Sequence, residues 1–179
     1  KAMYAVLTDP NHGRFPKKNV RLLLDERATA KGIRRGFTWL RRRAGPEDMA
    51  VVYYSGHGAP EEGGTYWVPY DADIDDLEAT AVGNAYITRQ LRRVRAKRLI
   101  TFLDSCYSAA IVKKEDRPKA LFNQDFFAKF KGAGRVTITA SDGKELSLES
   151  KDLGQGVFTY YLVQALKGKA DVNQDGAVE

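Results

Sequence analysis

Sulfur and imidazole are scarce in this sequence, which contains one cysteine, Cys106, and two histidines, His12 and His57. A single cysteine excludes an intrachain disulfide and is typical of a reducing compartment, or of a thiol kept free for chemistry. No apolar run approaches the roughly 18 residues of a membrane-spanning helix, and no secretory signal pattern opens the chain. We therefore expect a cytoplasmic location and no membrane partner.

Acidic residues are fewer than basic residues, 23 against 29, which gives a net charge of +6. The basic residues form two groups on segments with amphipathic helical patterns. They are Lys31, Arg34, Arg35, Arg41, Arg42 and Arg43, then Arg89, Arg92, Arg93, Arg95, Lys97 and Arg98. Solvated helix faces explain both groups most simply. A protein partner is one alternative, and a nucleic-acid surface is a weaker one because no aromatic residues interleave with the charges.

Alternating apolar runs and helical periodicities predict one α/β domain in this chain of 179 residues. Strands are predicted at 19–25, 49–54, 65–70 (a sheet edge, because of Pro69), 98–103 and 135–139. Helices are predicted from the N-cap Thr29 to about Gly45, through Ile87, Leu91 and Val94, and from about Val157 to Lys167 before the stop at Gly168. This order implies a mainly parallel sheet flanked by helices on both faces.

Two of the predicted strands run directly into residues that carry chemistry. The strand 49–54 leads into Ser-Gly-His-Gly around His57, and the strand 98–103 leads into Asp-Ser-Cys-Tyr around Cys106. Ligands of parallel sheets bind beyond the carboxyl ends of the strands. We therefore expect His57 and Cys106 to emerge as loop residues at the same edge of the sheet, from neighbouring strands.

A thiol and an imidazole at one sheet edge indicate nucleophilic attack on an amide. The thiolate is the attacking species, and an imidazole can take its proton and later protonate the leaving amine. The backbone N–H groups of Gly58 and Cys106 are the expected oxyanion donors. Taken singly, His57 could be an ordinary loop residue and Cys106 an inert buried thiol. His12 lies in a predicted turn, and no catalytic role is expected for it.

The segments Tyr-Tyr-Ser-Gly-His-Gly (53–58) and Leu-Asp-Ser-Cys-Tyr-Ser (103–108) resemble the two catalytic motifs of caspase-like cysteine peptidases, in their metacaspase and bacterial form. The step of 49 residues from His57 to Cys106 is similar to the spacing already known for caspases. The resemblance covers nearly the whole chain. It departs from animal caspases at Asp104-Ser105, where they have Gln-Ala, and from metacaspases at Tyr107, where they have His. The family's first strand has no counterpart here.

The resemblance implies a caspase–hemoglobinase fold and a cysteine endopeptidase that forms a thioester on Cys106. It implies that Asp104 lines the pocket for the P1 side chain and selects Arg or Lys, with Asp142 as a weaker second contact. An alternative is that Asp104 caps the next helix. Residues 109–131 correspond to the family's processing loops, where self-cleavage is expected. Other functions kept open are a catalytically silent scaffold, which the same fold supports, and a basic nucleic-acid-binding domain.

Two acidic segments raise the question of calcium. Asp71, Asp73, Asp75 and Asp76 crowd one loop, which is either solvated or a hard-cation site. Asp171, Asn173 and Asp175 match ligand positions 1, 3 and 5 of a calcium loop, whose position 12 would fall beyond residue 179. The peptidase domain is therefore assigned to 1–168, and 169–179 to the start of a truncated calcium-loop-like segment.

No cofactor is required for the chemistry, and calcium is considered only as an activator. The expected partners are a protein or peptide substrate with a basic P1 residue, and a regulatory partner or further domains.

Overall fold

A computed structural model describes residues 1–61, 64–107, 134–140, 149–150 and 155–171. The chain divides into two compact units, one formed by residues 1–22 with 147–179 and the other by residues 23–146. The helices are α1 (Ala2–Thr8), α2 (Ala30–Arg43), α3 (Leu77–Thr80), α4 (Asn84–Arg92) and α5 (Val157–Gln164), and the strands are β1 (Met49–Glu61), β2 (Gly64–Trp67), β3 (Val82–Gly83), β4 (Arg98–Tyr107), β5 (Arg135–Thr139), β6 (Glu149–Ser150) and β7 (Gln155–Gly156). Short 3₁₀ turns lie at Lys17–Asn19, Asp25–Arg27 and Ile74–Asp76. None of the helices in the described ranges is long and apolar enough to cross a membrane.

The larger unit is built on a sheet of five strands in the order β3-β2-β1-β4-β5. The two longest ladders are parallel: β1 pairs with β4, and β4 pairs with β5. The outer strands β2 and β3 are antiparallel additions. The predicted α/β fold with a mainly parallel sheet is therefore confirmed, and its parallel part contains the two strands that carry His57 and Cys106.

Local signals explain why α2 begins and ends where it does. The Thr29 side chain accepts a hydrogen bond from the N–H of Gly32 at 2.9 Å, as an N-cap does. Arg41, Arg42 and Arg43 occupy the last turn, where positive charge interacts favourably with the helix dipole. These three arginines of the first basic group therefore help to stabilise the helix.

The core of this unit lies between one face of the sheet and the helices α2 and α4. Ala50 of β1 and Leu99 of β4 belong to one buried cluster with Phe37 of α2 and Leu91 of α4. Leu91 is 0% exposed and Leu99 is 2% exposed. Burying a leucine side chain completely contributes about 1.5–3 kcal/mol, so this face anchors β1 and β4 to the helices.

Arg135 joins the start of β5 to the end of α4. Its guanidinium donates hydrogen bonds to the carbonyl oxygens of Leu91, Val94 and Ala96 at 3.0, 2.7 and 3.2 Å. The last carbonyl groups of a helix have no partner within the helix, and a side-chain donor satisfies them. Arg135 therefore secures the turn that leads from α4 into β4.

The smaller unit contains the helices α1 and α5. Helix α1 packs against α5, with Met3 and Val6 buried on α1 and Val163 buried on α5. The helical path continues through a π-helical turn, Ala165–Lys169, in which Gly168 has φ = 95°. This left-handed conformation favours glycine, so the predicted stop at Gly168 is confirmed.

One predicted strand is absent, and another is shorter than predicted and does not lie at the sheet edge. The apolar segment 19–25 is not a strand, because it forms no ladder and is bounded by two 3₁₀ turns. Its Leu23 side chain instead lies against α2, with Cδ1 3.6 Å from where a Cβ on Gly36 would stand. The predicted strand 65–70 is found as Gly64–Trp67 and ends before Pro69, and its predicted position at the sheet edge is wrong because β2 pairs with both β1 and β3.

Candidate active site

His57 of β1 and Cys106 of β4 stand opposite each other in the parallel ladder. Neighbouring strands of a sheet lie about 4.8 Å apart, so the two residues are adjacent across the ladder although 49 residues separate them along the chain. The prediction that their strands are neighbours is confirmed. The sheet thus brings the only cysteine next to one of the two histidines.

The prediction that both residues lie in loops after their strands is wrong. The strand β1 continues to Glu61, and β4 extends through Tyr107. Beyond Gly58, the last residue that pairs with β4, β1 remains extended because Gly58–Glu61 pairs with Gly64–Trp67. The glycines beside His57 therefore lie in extended backbone. The His57 side chain is nevertheless exposed.

The carbonyl oxygen of His57 receives two hydrogen bonds. The backbone N–H of Val68 donates to it at 3.0 Å, and the Tyr54 hydroxyl donates to it at 2.7 Å. The same hydroxyl lies 3.3 Å from the carbonyl oxygen of Val68, which makes that oxygen a weaker second acceptor. The backbone at His57 is therefore tied both to its own strand and to the segment after β2.

The ring of Tyr54 is held by Trp67. The two rings are stacked with centroids 4.2 Å apart and planes 8° apart. Burial raises the pKa of the Tyr54 phenol, so the group stays protonated and remains a hydrogen-bond donor. In the sequence, Tyr54 belongs to the predicted strand 49–54 and to the motif 53–58, and neither predicts this contact. The one sequence signal was Gly56, two residues later on the same strand face.

Asp104 lies inside β4, opposite Ser55 and two residues before Cys106. Asp104 is 5% exposed and makes at least one interaction within the protein. Residues two apart in a strand share a face, so Asp104 and Cys106 occupy the same face of the sheet. The alternative role of Asp104 as an N-cap is not supported, because β4 continues three residues beyond it. Asp142 and the segment 109–131 lie outside the described residues.

Three carboxylates of the first acidic loop cap backbone N–H groups. Asp71 accepts from Ala30 at 2.8 Å, at the start of α2. Asp73 and Asp76 accept from the N–H groups of Asp75 and Ala79 at 3.0 and 3.1 Å. Within the ranges that the structure describes, no group of three His, Cys, Asp or Glu residues could hold a metal ion.

The second acidic segment is described only at its first residue. The N–H of Asp171 donates to the carbonyl oxygen of Gly168 at 3.1 Å. Asn173 and Asp175 lie outside the described residues. A calcium site in this segment stays a prediction.

The second histidine, His12, makes a local contact in the smaller unit. Its Nδ1 atom lies 3.0 Å from Oδ1 of Asp9. The backbone N–H of Asn11 and, to a smaller extent, His12 lower the pKa of the Asp9 carboxyl. His12 lies in a turn, as the sequence predicts.

Part of the basic charge is used within the fold. The Arg34 and Arg89 guanidinium groups lie 5.5 and 5.7 Å from the centre of the Tyr86 ring, within the range of cation–π attraction. Arg98 donates to the carbonyl oxygen of Glu47 at 2.7 Å, and Lys97 forms an exposed ion pair with Glu47. These contacts are typical of solvated helix and strand ends.

Comparison with known proteins places this arrangement in a family. The family model described as "Caspase domain" matches residues 1–175. An uncharacterised protein of Sinorhizobium fredii (strain NBRC 101917 / NGR234), named y4kE, is 29% identical over 140 residues, which cover 75% of this chain. The chain spans about 40% of the length of that relative. Since the family match extends over nearly all of the sequence, including both strands of the site, the chain belongs to the caspase domain family.

Proposed function

We propose that this protein is a cysteine endopeptidase whose catalytic dyad is His57 and Cys106. The observation that carries the proposal is their register: the only cysteine of the chain stands directly opposite His57 on the neighbouring parallel strand. Membership of the caspase domain family supports the same chemistry. The exposure of His57 supports it further, since a catalytic imidazole must be reachable by substrate.

In the proposed reaction, His57 accepts the proton of the Cys106 thiol and the resulting thiolate attacks the carbonyl carbon of the scissile peptide bond. The tetrahedral intermediate collapses to a thioester while the C–N bond breaks. The leaving amine takes its proton from the His57 imidazolium. A water molecule, deprotonated by His57, then attacks the thioester and releases the acid product, which restores the thiol.

The negative charge on the substrate oxygen requires backbone donors, and we assign this role to the N–H groups of Gly58 and Cys106. The carbonyl group of His57 points toward β2, since it accepts from Val68. Backbone groups of successive strand residues point to opposite sides, so those of Gly58 point toward β4. Donation by Gly58 therefore requires the β1–β4 ladder to end before Gly58 in the substrate complex.

We assign P1 recognition to Asp104, with Asp142 as a second contact, and the expected substrate is a protein or peptide with Arg or Lys at P1. The support is the position of Asp104 on the face of β4 that carries Cys106, and its burial. A buried carboxylate favours a cationic partner, and a guanidinium matches its two oxygens with paired N–H donors. A carboxylate at P1 would be repelled by Asp104.

A fluorescent peptidyl fluoromethyl ketone with Arg at P1 tests the proposal. We expect it to label Cys106 in the wild-type chain, not to label Cys106→Ala, and to label His57→Ala much more slowly. Replacing His12 by Ala is the matched control and should leave labelling unchanged. A wild-type chain that stays unlabelled while correctly folded would contradict peptidase activity and favour a catalytically silent scaffold.

A further inference from the structure

We propose that Tyr54 is a positioning residue for His57, and that its hydroxyl fixes the backbone from which the imidazole reaches Cys106. The inference rests on the proposed function in so far as His57 is taken as the catalytic base. The contact itself is independent of that function: the Tyr54 hydroxyl donates to the carbonyl oxygen of His57 at 2.7 Å.

The glycine between these residues makes the contact possible. The Tyr54 side chain runs along its own strand and passes over Gly56 to reach the residue beyond it. A Cβ at position 56 would stand 2.9 Å from the Tyr54 hydroxyl oxygen, which is closer than real Cβ contacts, and 3.1 Å from Cζ, which is tight. Gly56 therefore leaves room for the phenol.

The phenol is itself fixed from a second strand. Its ring stacks on Trp67 of β2, which is 4% exposed, and its hydroxyl also lies near the carbonyl oxygen of Val68. Tyr54 thus connects the backbone at His57 to the buried core through Trp67. Trp67 in turn packs against Phe37 of α2, with ring centroids 6.0 Å apart.

An exposed catalytic imidazole needs this kind of support. The His57 side chain is exposed, so its place relative to Cys106 depends chiefly on where the backbone directs its Cα–Cβ bond. The two hydrogen bonds to the His57 carbonyl oxygen, from Val68 and Tyr54, restrict that direction. A displacement of about 1 Å in a catalytic group can lower a rate by roughly a hundredfold.

Replacing Tyr54 by Phe removes the hydroxyl and retains the ring that stacks on Trp67. We expect kcat for a peptide with Arg at P1 to fall about tenfold while KM changes less than about twofold, because the group being displaced acts in the chemical step. Tyr86→Phe is the matched control, since the Tyr86 ring also packs against the core, with its centroid 6.3 Å from that of Phe37. That variant should retain wild-type kcat.

The histidine count permits a readout that does not need turnover. The chain has only two histidines, so a spectrum of ¹⁵N-labelled imidazoles contains two rings, which His57→Ala assigns. Tyr54→Phe should shift and broaden the His57 signals and leave those of His12 unchanged. If the wild-type chain cleaves no peptide, the proposed function fails, and this spectrum still decides the role of Tyr54.

A second variant tests the path across Gly56. Gly56→Ala should displace the Tyr54 hydroxyl and lower kcat in the same way, and it should lower kcat less when added to Tyr54→Phe, since the hydroxyl is then already absent. Tyr54→Phe with unchanged kcat and unchanged His57 signals would overturn the proposal. Equal effects of Gly56→Ala in both backgrounds would also overturn it.

Discussion

His57 and Cys106 are register partners in the parallel ladder of β1 and β4, and each residue lies within its strand. The ladder between β1 and β4 pairs the two backbones directly at His57 and Cys106, so it sets the relative position of the two residues. The strand β1 is paired with β4 on one side and with β2 on the other. Substitution of either side chain should therefore change chemistry much more than folding.

The first prediction concerns the dyad. Cys106→Ala and His57→Ala should each lower peptide turnover by at least about a hundredfold, because a nucleophile and its base act as one unit. The midpoint of thermal unfolding should stay close to that of the wild type, since the His57 side chain is exposed. Turnover and unfolding are measured on the same preparations. A variant that keeps more than about a tenth of wild-type turnover would rule out its residue as part of the dyad.

The second prediction concerns P1 specificity. Asp104→Asn removes the charge of a buried carboxylate at nearly constant volume. We expect kcat/KM for Arg at P1 to fall steeply and Cys106 to remain open to alkylation. The measurement compares matched peptides with Arg, Lys and Asp at P1, and the exposed Asp75 provides the control Asp75→Asn. Preference for Asp at P1, or an unchanged preference for Arg in Asp104→Asn, would contradict the assignment.

The third prediction concerns self-cleavage. Residues 109–131 lie outside the described part of the chain and contain the basic residues Lys113, Lys114, Arg117 and Lys119. A peptidase that selects basic P1 residues should cut its own chain after one of them. Mass spectrometry of the wild type beside Cys106→Ala measures this, with fragments expected only in the wild type. Identical intact masses after long incubation would count against it.

The fourth prediction concerns stability. Arg135→Met should lower the free energy of unfolding by about 2–4 kcal/mol, because the carbonyl oxygens of Leu91, Val94 and Ala96 lose a charged donor. Arg95→Met is the control, since Arg95 is exposed, and it should change stability by no more than about 0.5 kcal/mol. Urea denaturation measures both. Equal stability of the two variants would show that the Arg135 contacts contribute little.

The sequence predicts those features that depend on neighbouring residues. The strand Arg135–Thr139 is found with the predicted bounds, because a short apolar run between polar or glycine-rich residues is a local signal. The cap at Thr29 and the stop at Gly168 are local in the same sense. The motifs around His57 and Cys106 are also visible in the sequence, and each follows a predicted strand, which led to the expectation that both residues lie at one edge of the sheet.

The tertiary structure alone decided which segments pair and which side chains meet. The segment 19–25 has the composition of a strand, but Leu23 lies against α2 and the segment joins no ladder. The strand β1 extends past His57 because β2 pairs with its last residues. The hydrogen bond from Tyr54 to His57 depends on Trp67, which holds the phenol ring from another strand. Local patterns state what each segment prefers, whereas ladders and ring contacts depend on partners that folding brings from elsewhere in the chain.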